Sequence, residues 1–123
     1  MKHPTKILEK KVKSQMDDIA KKYGDACYWL NPATGGYGES GHPDKVLCLN
    51  GTFIGAEAKG SNGKLSPLQV RQLRRIWQAG GIACVIGPED LGTYWNITEA
   101  VSCGNMEGAR MFALLTLTTW KVY

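Results

Sequence analysis

Val46-Leu47-Cys48-Leu49-Asn50-Gly51-Thr52-Phe53-Ile54 is the stretch that decides the fold. Asn-Gly between two apolar runs is the favoured centre of a type I′ turn, which needs positive φ at both central positions. The stretch therefore reads as a β-hairpin whose second strand runs to about Lys59. Upstream, residues 26–30 (Ala-Cys-Tyr-Trp-Leu) read as another strand. Residues 31–41, with four glycines and a proline, read as a loop between the two.

Downstream of the hairpin, residues 60–65 form a polar loop and a helix starts at Ser66. Ser66 suits the N-cap, Pro67 the first helical position, and Gln69 completes a capping box. Gly80-Gly81 stops that helix, and Ile82 to Ile86 read as a short buried strand. At the N-terminal end, residues 5–23 form an amphipathic helix. Leu8, Val12, Met16, Ile19 and Tyr23 share one stripe at 100° per residue, Lys10, Lys13, Lys21 and Lys22 lie outside it, and Gly24 ends it. The order is helix, three strands, helix, strand, an α/β arrangement. Beyond residue 87 the pattern weakens: residues 94–103 read as a short helix. Residues 111–123 are apolar and β-branched enough for a last strand, or else form a subunit contact.

The 123 residues, 43% hydrophobic and 21% charged, make one domain able to bury a core without staples. Four dispersed cysteines (Cys27, Cys48, Cys84, Cys103) contain no CxxC, which excludes a zinc-finger spacing and a disulfide framework. They read as small buried hydrophobes in a reducing compartment, as Tyr28, Trp29, Trp77 and Trp95 read as core aromatics. No signal-peptide h-region and no 18-residue apolar run is present, so a cytoplasmic chain is expected. The formal charge is +4, and the first 22 residues hold seven lysines against three acids, an excess equal to the whole. A basic end on a near-neutral body suits a polyanion such as nucleic acid, and it suits solubility as well.

The hairpin register places the chemistry. Counting outward from Asn50-Gly51, residues whose numbers sum to 101 lie opposite, so Asp44 faces Glu57. Glu57 and Lys59, two apart, project from one side of the strand. Two carboxylates at one point repel unless a cation sits between them, and hard oxygen ligands favour Mg²⁺ or Mn²⁺. A neighbouring lysine could orient or deprotonate a water, or stabilise an anionic transition state. On the first helix Glu9 is the one acid that can turn inward, since Asp17 and Asp18 lie more than about 100° from the stripe. On the second helix Gln69 falls within the apolar arc of Val70, Leu73, Ile76 and Trp77, while Arg71, Arg74 and Arg75 fall outside it.

Gly41-His42-Pro43-Asp44, Glu57-Ala58-Lys59 and Ser66-Pro67-Leu68-Gln69, in this order, resemble the PD-(D/E)xK nuclease superfamily and within it the VRR-NUC family. The resemblance covers about residues 5–86 and implies a restriction-endonuclease-like core, a central mixed sheet flanked by helices in the order αβββαβ. Residues 87–123 would be a C-terminal extension that completes the sheet or serves a dimer. The resemblance implies that Glu9, Asp44, Glu57 and the Ala58 carbonyl hold Mg²⁺ or Mn²⁺, with Lys59 catalytic and Gln69 supporting. It also implies a small stand-alone, phage-type homodimer that cuts four-way DNA junctions, in a bacterial or phage-infected cell. The "VRR" arginines are matched only in part, by Val70-Arg71-Gln72.

Each motif has a plainer reading. Gln69 is needed for the capping box in any case, Glu9 could pair with Lys6, Lys10 or Lys13, and His42 is a turn residue rather than a base. Residues 60–65 do not make a phosphate loop, which needs glycine at Ala58 and Ser or Thr at Leu65. They read as a DNA-contacting or merely mobile segment. Candidate phosphate contacts are Lys10, Lys11, Lys13, Lys64, Arg71, Arg74 and Arg75, the three arginines being equally a solvated helix face. The competing functions are a duplex- or flap-directed restriction or repair nuclease, and a non-catalytic nucleic-acid-binding module of the same fold.

Overall fold

The computed structural model describes residues 6–33 and 40–123; positions 34–39 of the expected loop and residue 5 of the expected first helix lie outside them. The elements are α1 (Glu9–Lys21), β1 (Cys27–Leu30), β2 (Lys45–Leu49), β3 (Thr52–Ala58), α2 (Pro67–Gln78), β4 (Ile82–Ile86), α3 (Leu91–Ser102) and α4 (Met106–Thr119). The sheet order is β1-β2-β3-β4, antiparallel except for the parallel pair β3–β4, a mixed sheet.

The hairpin forms as its turn chemistry requires. Asn50 and Gly51 have φ of 48° and 84°, and Leu49 faces Thr52. Pairs then run to Lys45–Ala56, which brings Asp44 to the level of Glu57. The sheet buries both faces unequally. On one, Leu47, Leu49, Ile54, Ala56, Ile82, Cys84 and Ile86 pack with Val12 and Met16 of α1 and Tyr94 and Ile97 of α3. On the other, Ala83 and Val85 pack with Leu73 of α2 and with Leu117 and Val122. α2 lies over β3 and β4, and among the described residues no helix packs closely on the outer side of β1 and β2.

That uncovered side corrects the expected core. Tyr28 is 73% exposed because alternation turns it to the open face, and Trp95 is exposed on α3 with the Lys22 ammonium over its ring. Trp29 and Trp77 are half-buried as packing partners. Cys27 and Cys84 are buried as expected, whereas Cys48, on the open face, and Cys103 are exposed; all four are free.

The first helix begins at Glu9, four residues later than its stripe suggests. Ile7 is held extended instead: its N–H donates to Ser61 Oγ (2.9 Å) and its carbonyl accepts from Ser61 N–H (2.8 Å). Asp17 also departs from expectation. It reaches Lys45 at 2.8 Å, a lysine on the α1-facing side of β2 that is too deeply buried to go unpaired.

Residues 111–123 do not form a strand. Residues 111–119 belong to α4, which buries Ala109, Ala113, Thr116 and Leu117 at helical spacing. Small Ala109 and Ala113 admit the close approach of α4 to α3 and β4. Thr116, one of the β-branched residues that favours a strand reading, uses its hydroxyl to accept from Val85 N–H (3.1 Å) on the outer edge of β4. A sheet edge covered by a helix is closed to further strands. Among the described residues no helix is long and apolar enough to cross a membrane.

Candidate active site

Three segments meet beside the C-terminal end of β3. The first is 40–44, which must press against the start of α2. At Gly41 (φ +85°) a Cβ would lie 2.6 Å from the Leu68 backbone carbon and 2.9 Å from Gln69 N, so only glycine admits this approach. The second is α2, capped as expected: Ser66 Oγ accepts from Gln69 N–H, and the Gln69 side chain accepts from Ser66 N–H. The third is the start of α1, held by the Ser61 clamp on Ile7 and by Gly60, where a Cβ would fall 2.6 Å from Glu9 N. The 60–61 part of the expected mobile loop is thus a packed joint between α1 and the end of β3.

Within this frame Asp44 Oδ2 accepts from Ala58 N–H (2.9 Å), tying the hairpin's open end together. Glu57 is 2% exposed. Its Oε1 accepts from Gln69 Nε2 (3.2 Å), and Gln69 Oε1 accepts from Lys59 Nζ (3.1 Å) as well as from Ser66 N–H. The two donors on Oε1 and the carboxylate on Nε2 fix the amide's orientation. Gln69 is therefore both the helix cap and a hydrogen-bonded bridge between Glu57 and Lys59, a link that capping alone does not require. Among the described residues no donor reaches the buried Oε2 of Glu57.

Electrostatics follow from that arrangement. Burial, then a hydrogen bond and repulsion from Asp44, push the Glu57 carboxyl up to about 9. Burial acts on Asp44 in the same direction. It is outweighed by the hydrogen bond from Glu57, the Ala58 N–H and the Lys13 ammonium, which hold Asp44 below the usual carboxylate range. One proton is thus shared across two adjacent carboxyls and rests on Glu57, the pattern of like charges that cannot both ionise without a cation.

Lys13 is the cation nearest at hand. Its Nζ lies 3.1 Å from Glu9 Oε2 and 3.3 Å from Asp44 Oδ1. Partial burial opposes its charge, but the two acids hold its pKa above the ordinary value. Glu9 is consequently joined to Asp44 through Lys13 rather than gathered with Asp44 and Glu57. Among the described residues no three His, Cys, Asp or Glu side chains come together as a ligand group.

Comparison with family models, curated proteins and solved structures gives no match.

The expected phosphate contacts divide by their surroundings. Lys10, Lys11, Lys64 and Arg71 are exposed. Lys13 is engaged as described. Arg74 donates to the Val122 carbonyl (2.8 Å) and lies over the Tyr123 ring, which makes it a tether for residues 122–123. Arg75 is exposed and donates to Gln72 Oε1. The Asp17–Lys45 pair and the glycine contacts at 41 and 60 were not read from the sequence, since only the packed partners reveal them.

Two adjacent carboxyls that share one proton fit a small hard cation. The Lys13 ammonium already stands beside Asp44 as a monovalent substitute. With such an ion bound, the arrangement could hold a phosphodiester against Lys59 and Gln69.

Proposed function

We propose that the protein is a Mg²⁺- or Mn²⁺-dependent DNA endonuclease of PD-(D/E)xK type, hydrolysing phosphodiester bonds in branched DNA such as four-way junctions. The observation that carries the proposal is the adjacent Asp44–Glu57 pair, which shares one proton and is joined through Gln69 to the buried Lys59. A pure binding module has no need to hold two close carboxyls against a polyanion. The order αβββαβ, the resemblance of its three motifs and the basic first helix support the same reading.

In this reading Asp44, Glu57 and the Ala58 carbonyl would hold the ion, with Glu9 behind Lys13 as a further carboxylate. The ion would supply a polarised phosphoryl oxygen and a water acidified toward neutrality. Lys59 places positive charge where the phosphorane-like oxygens grow more negative, or orients the attacking water. Gln69 keeps the Lys59 ammonium and the Glu57 carboxyl at fixed separation. Lys10, Lys11, Lys64 and Arg71 would meet phosphates. Paired cuts in a junction need two sites, so a chain with one such site would act as a two-fold homodimer. The exposed α4 side chains Met111, Leu114 and Leu115 offer it a surface.

A cleavage panel of duplex, flap, single-stranded and four-way DNA with Mg²⁺, Mn²⁺ and EDTA tests the proposal. Metal-dependent cuts, strongest on the junction, are expected; cuts confined to duplex or flap select the restriction or repair alternative. Binding without any cutting in either metal selects the non-catalytic module.

Lys13 gives a prediction that needs no substrate. If its ammonium competes with the metal for Asp44, Lys13→Met should tighten Mn²⁺ binding about two- to fivefold, the worth of a half-exposed ion pair. Calorimetric titration of both proteins reads this directly. Equal or weaker binding by the variant would show that Lys13 serves the helix and not the site.

A further inference from the structure

The side of the sheet that carries Glu57 continues beyond the site as a ladder of cross-strand rows. Asp44 and Glu57 form one end. The next row holds Leu30, Val46 and Gly55, with Gly55 buried under Ile76 and Pro43 and Leu30 exposed, and the row after it Tyr28, Cys48 and Phe53. Rows are about 7 Å apart and neighbouring strands about 4.8 Å, so Tyr28 and Phe53 stand about 10 Å from each other. They lie about 14 Å from the carboxyl pair along the strands. Tyr28 is 73% and Phe53 44% exposed, and the small Cys48 between them is exposed too.

Beside Phe53 a groove of about 660 Å³ opens against α2, lined by Gln72, Arg75 and Ile76 among others. Neither of the two apolar rows carries an acid.

We propose that this open face binds an unpaired stretch of nucleic acid, its bases stacking on Tyr28 and Phe53 and its backbone leading to the Asp44–Glu57–Lys59 site. The assignment rests on the nuclease reading for its ligand class and adds to it which part of a branched substrate the protein grips. Exposed aromatic rings on a sheet, in rows that carry no acid and with an arginine lining the neighbouring groove, match the stacking platforms of single-strand binders. A duplex keeps its base faces stacked inward and could offer these rings only its ends. The path from these rings along Val46 to Asp44 also favours nucleic acid over a second copy of the chain, for which the aliphatic stripe on α4 is the better surface.

The experiment is fluorescence anisotropy of labelled oligothymidylate and of a blunt hairpin duplex, in EDTA so that nothing is cut. Tyr28→Ala and Phe53→Ala should each weaken oligothymidylate binding about tenfold and change duplex binding less than about twofold. Tyr28→Phe, which keeps the ring, should bind as the parent does. Both side chains are exposed, and thermal unfolding of each variant confirms that it is folded. Unchanged oligothymidylate binding, or equal losses on both probes, overturns the proposal. So does light scattering in which the parent is a dimer that Tyr28→Ala splits, because the face would then belong to a second copy.

The two readings fail separately. Metal-dependent cutting with no effect of the rings removes the platform alone, whereas ring-dependent binding without cutting in any metal removes the nuclease alone.

Discussion

Glu57→Gln is expected to lose DNA cleavage by about 10³-fold or more, because a metal-binding charge supplies several kcal/mol to a phosphoryl transition state. The same substitution should make the metal-free protein more stable, and this pairing of effects is what distinguishes a site carboxylate from a structural one. Glu57 has a folded pKa near 9 against an ordinary value of 4.5. Between those limits the native state holds a proton that the unfolded chain has released. Stability must therefore fall as pH rises from about 5 to about 9. Asp44 works oppositely: its depressed pKa adds stability above the ordinary carboxylate range, which is lost on acidification.

Glutamine keeps the size of Glu57 and can still accept from Gln69, but it has no proton to lose. The Glu57→Gln melting temperature in EDTA should match the parent near pH 5 and exceed it increasingly toward pH 9. By the linkage slope the gap at pH 8 is of the order of a few kcal/mol at most. Melting curves across that range check it, and a parent whose stability is flat from pH 5 to 9 would show that no shared proton exists. Asp44→Asn should also abolish cleavage. It should give less stabilisation, because it removes a favourable partner of Lys13 and Ala58 as well as a source of repulsion.

The features legible in advance were those set by neighbours in the chain. Asn50-Gly51 settles its hairpin through two positive φ angles, and the register follows by counting, which placed Asp44 level with Glu57. Ser66-Pro67-Leu68-Gln69 carries its own capping geometry. What could not be read depends on partners distant in sequence. Asp17 sits at the wrong helical angle for a core residue, yet a buried Lys45 from another element draws it in. Ile7 has good helical surroundings, but Ser61 takes both its backbone groups.

The α4 segment misled for a related reason. Its Thr116 and Thr118 suggest a strand, whereas the buried set Ala109, Ala113 and Leu117 recurs every four residues. The exposure of Tyr28 is likewise a matter of topology: alternation gives it a face, and only the position of α2 decides that the face stays open.

Lys59→Met should reduce turnover about 10²- to 10³-fold, as loss of one preorganised charge at a developing anion does, while DNA affinity changes little. The environment of Lys59 argues for that split. The residue is 8% exposed, and its backbone N–H is spent on the Ile86 carbonyl, which holds the chain where β3 ends. Its ammonium donates to Gln69 Oε1, the same atom that caps α2 through Ser66, so the charge is aimed by a group that is itself immobilised.

A lysine kept for surface binding would sit with Lys10, Lys11 and Lys64 in solvent and act through phosphate neutralisation, with a salt-dependent affinity loss on removal. Lys59 is instead buried near Glu57, whose pKa its charge lowers. Methionine preserves the stem that packs there and removes only the ammonium. Single-turnover cleavage at saturating protein, set beside anisotropy binding in EDTA, separates the two effects. A variant that cuts at the parental rate but binds ten times more weakly would make Lys59 a binding residue and would leave the nuclease reading without its catalytic cation.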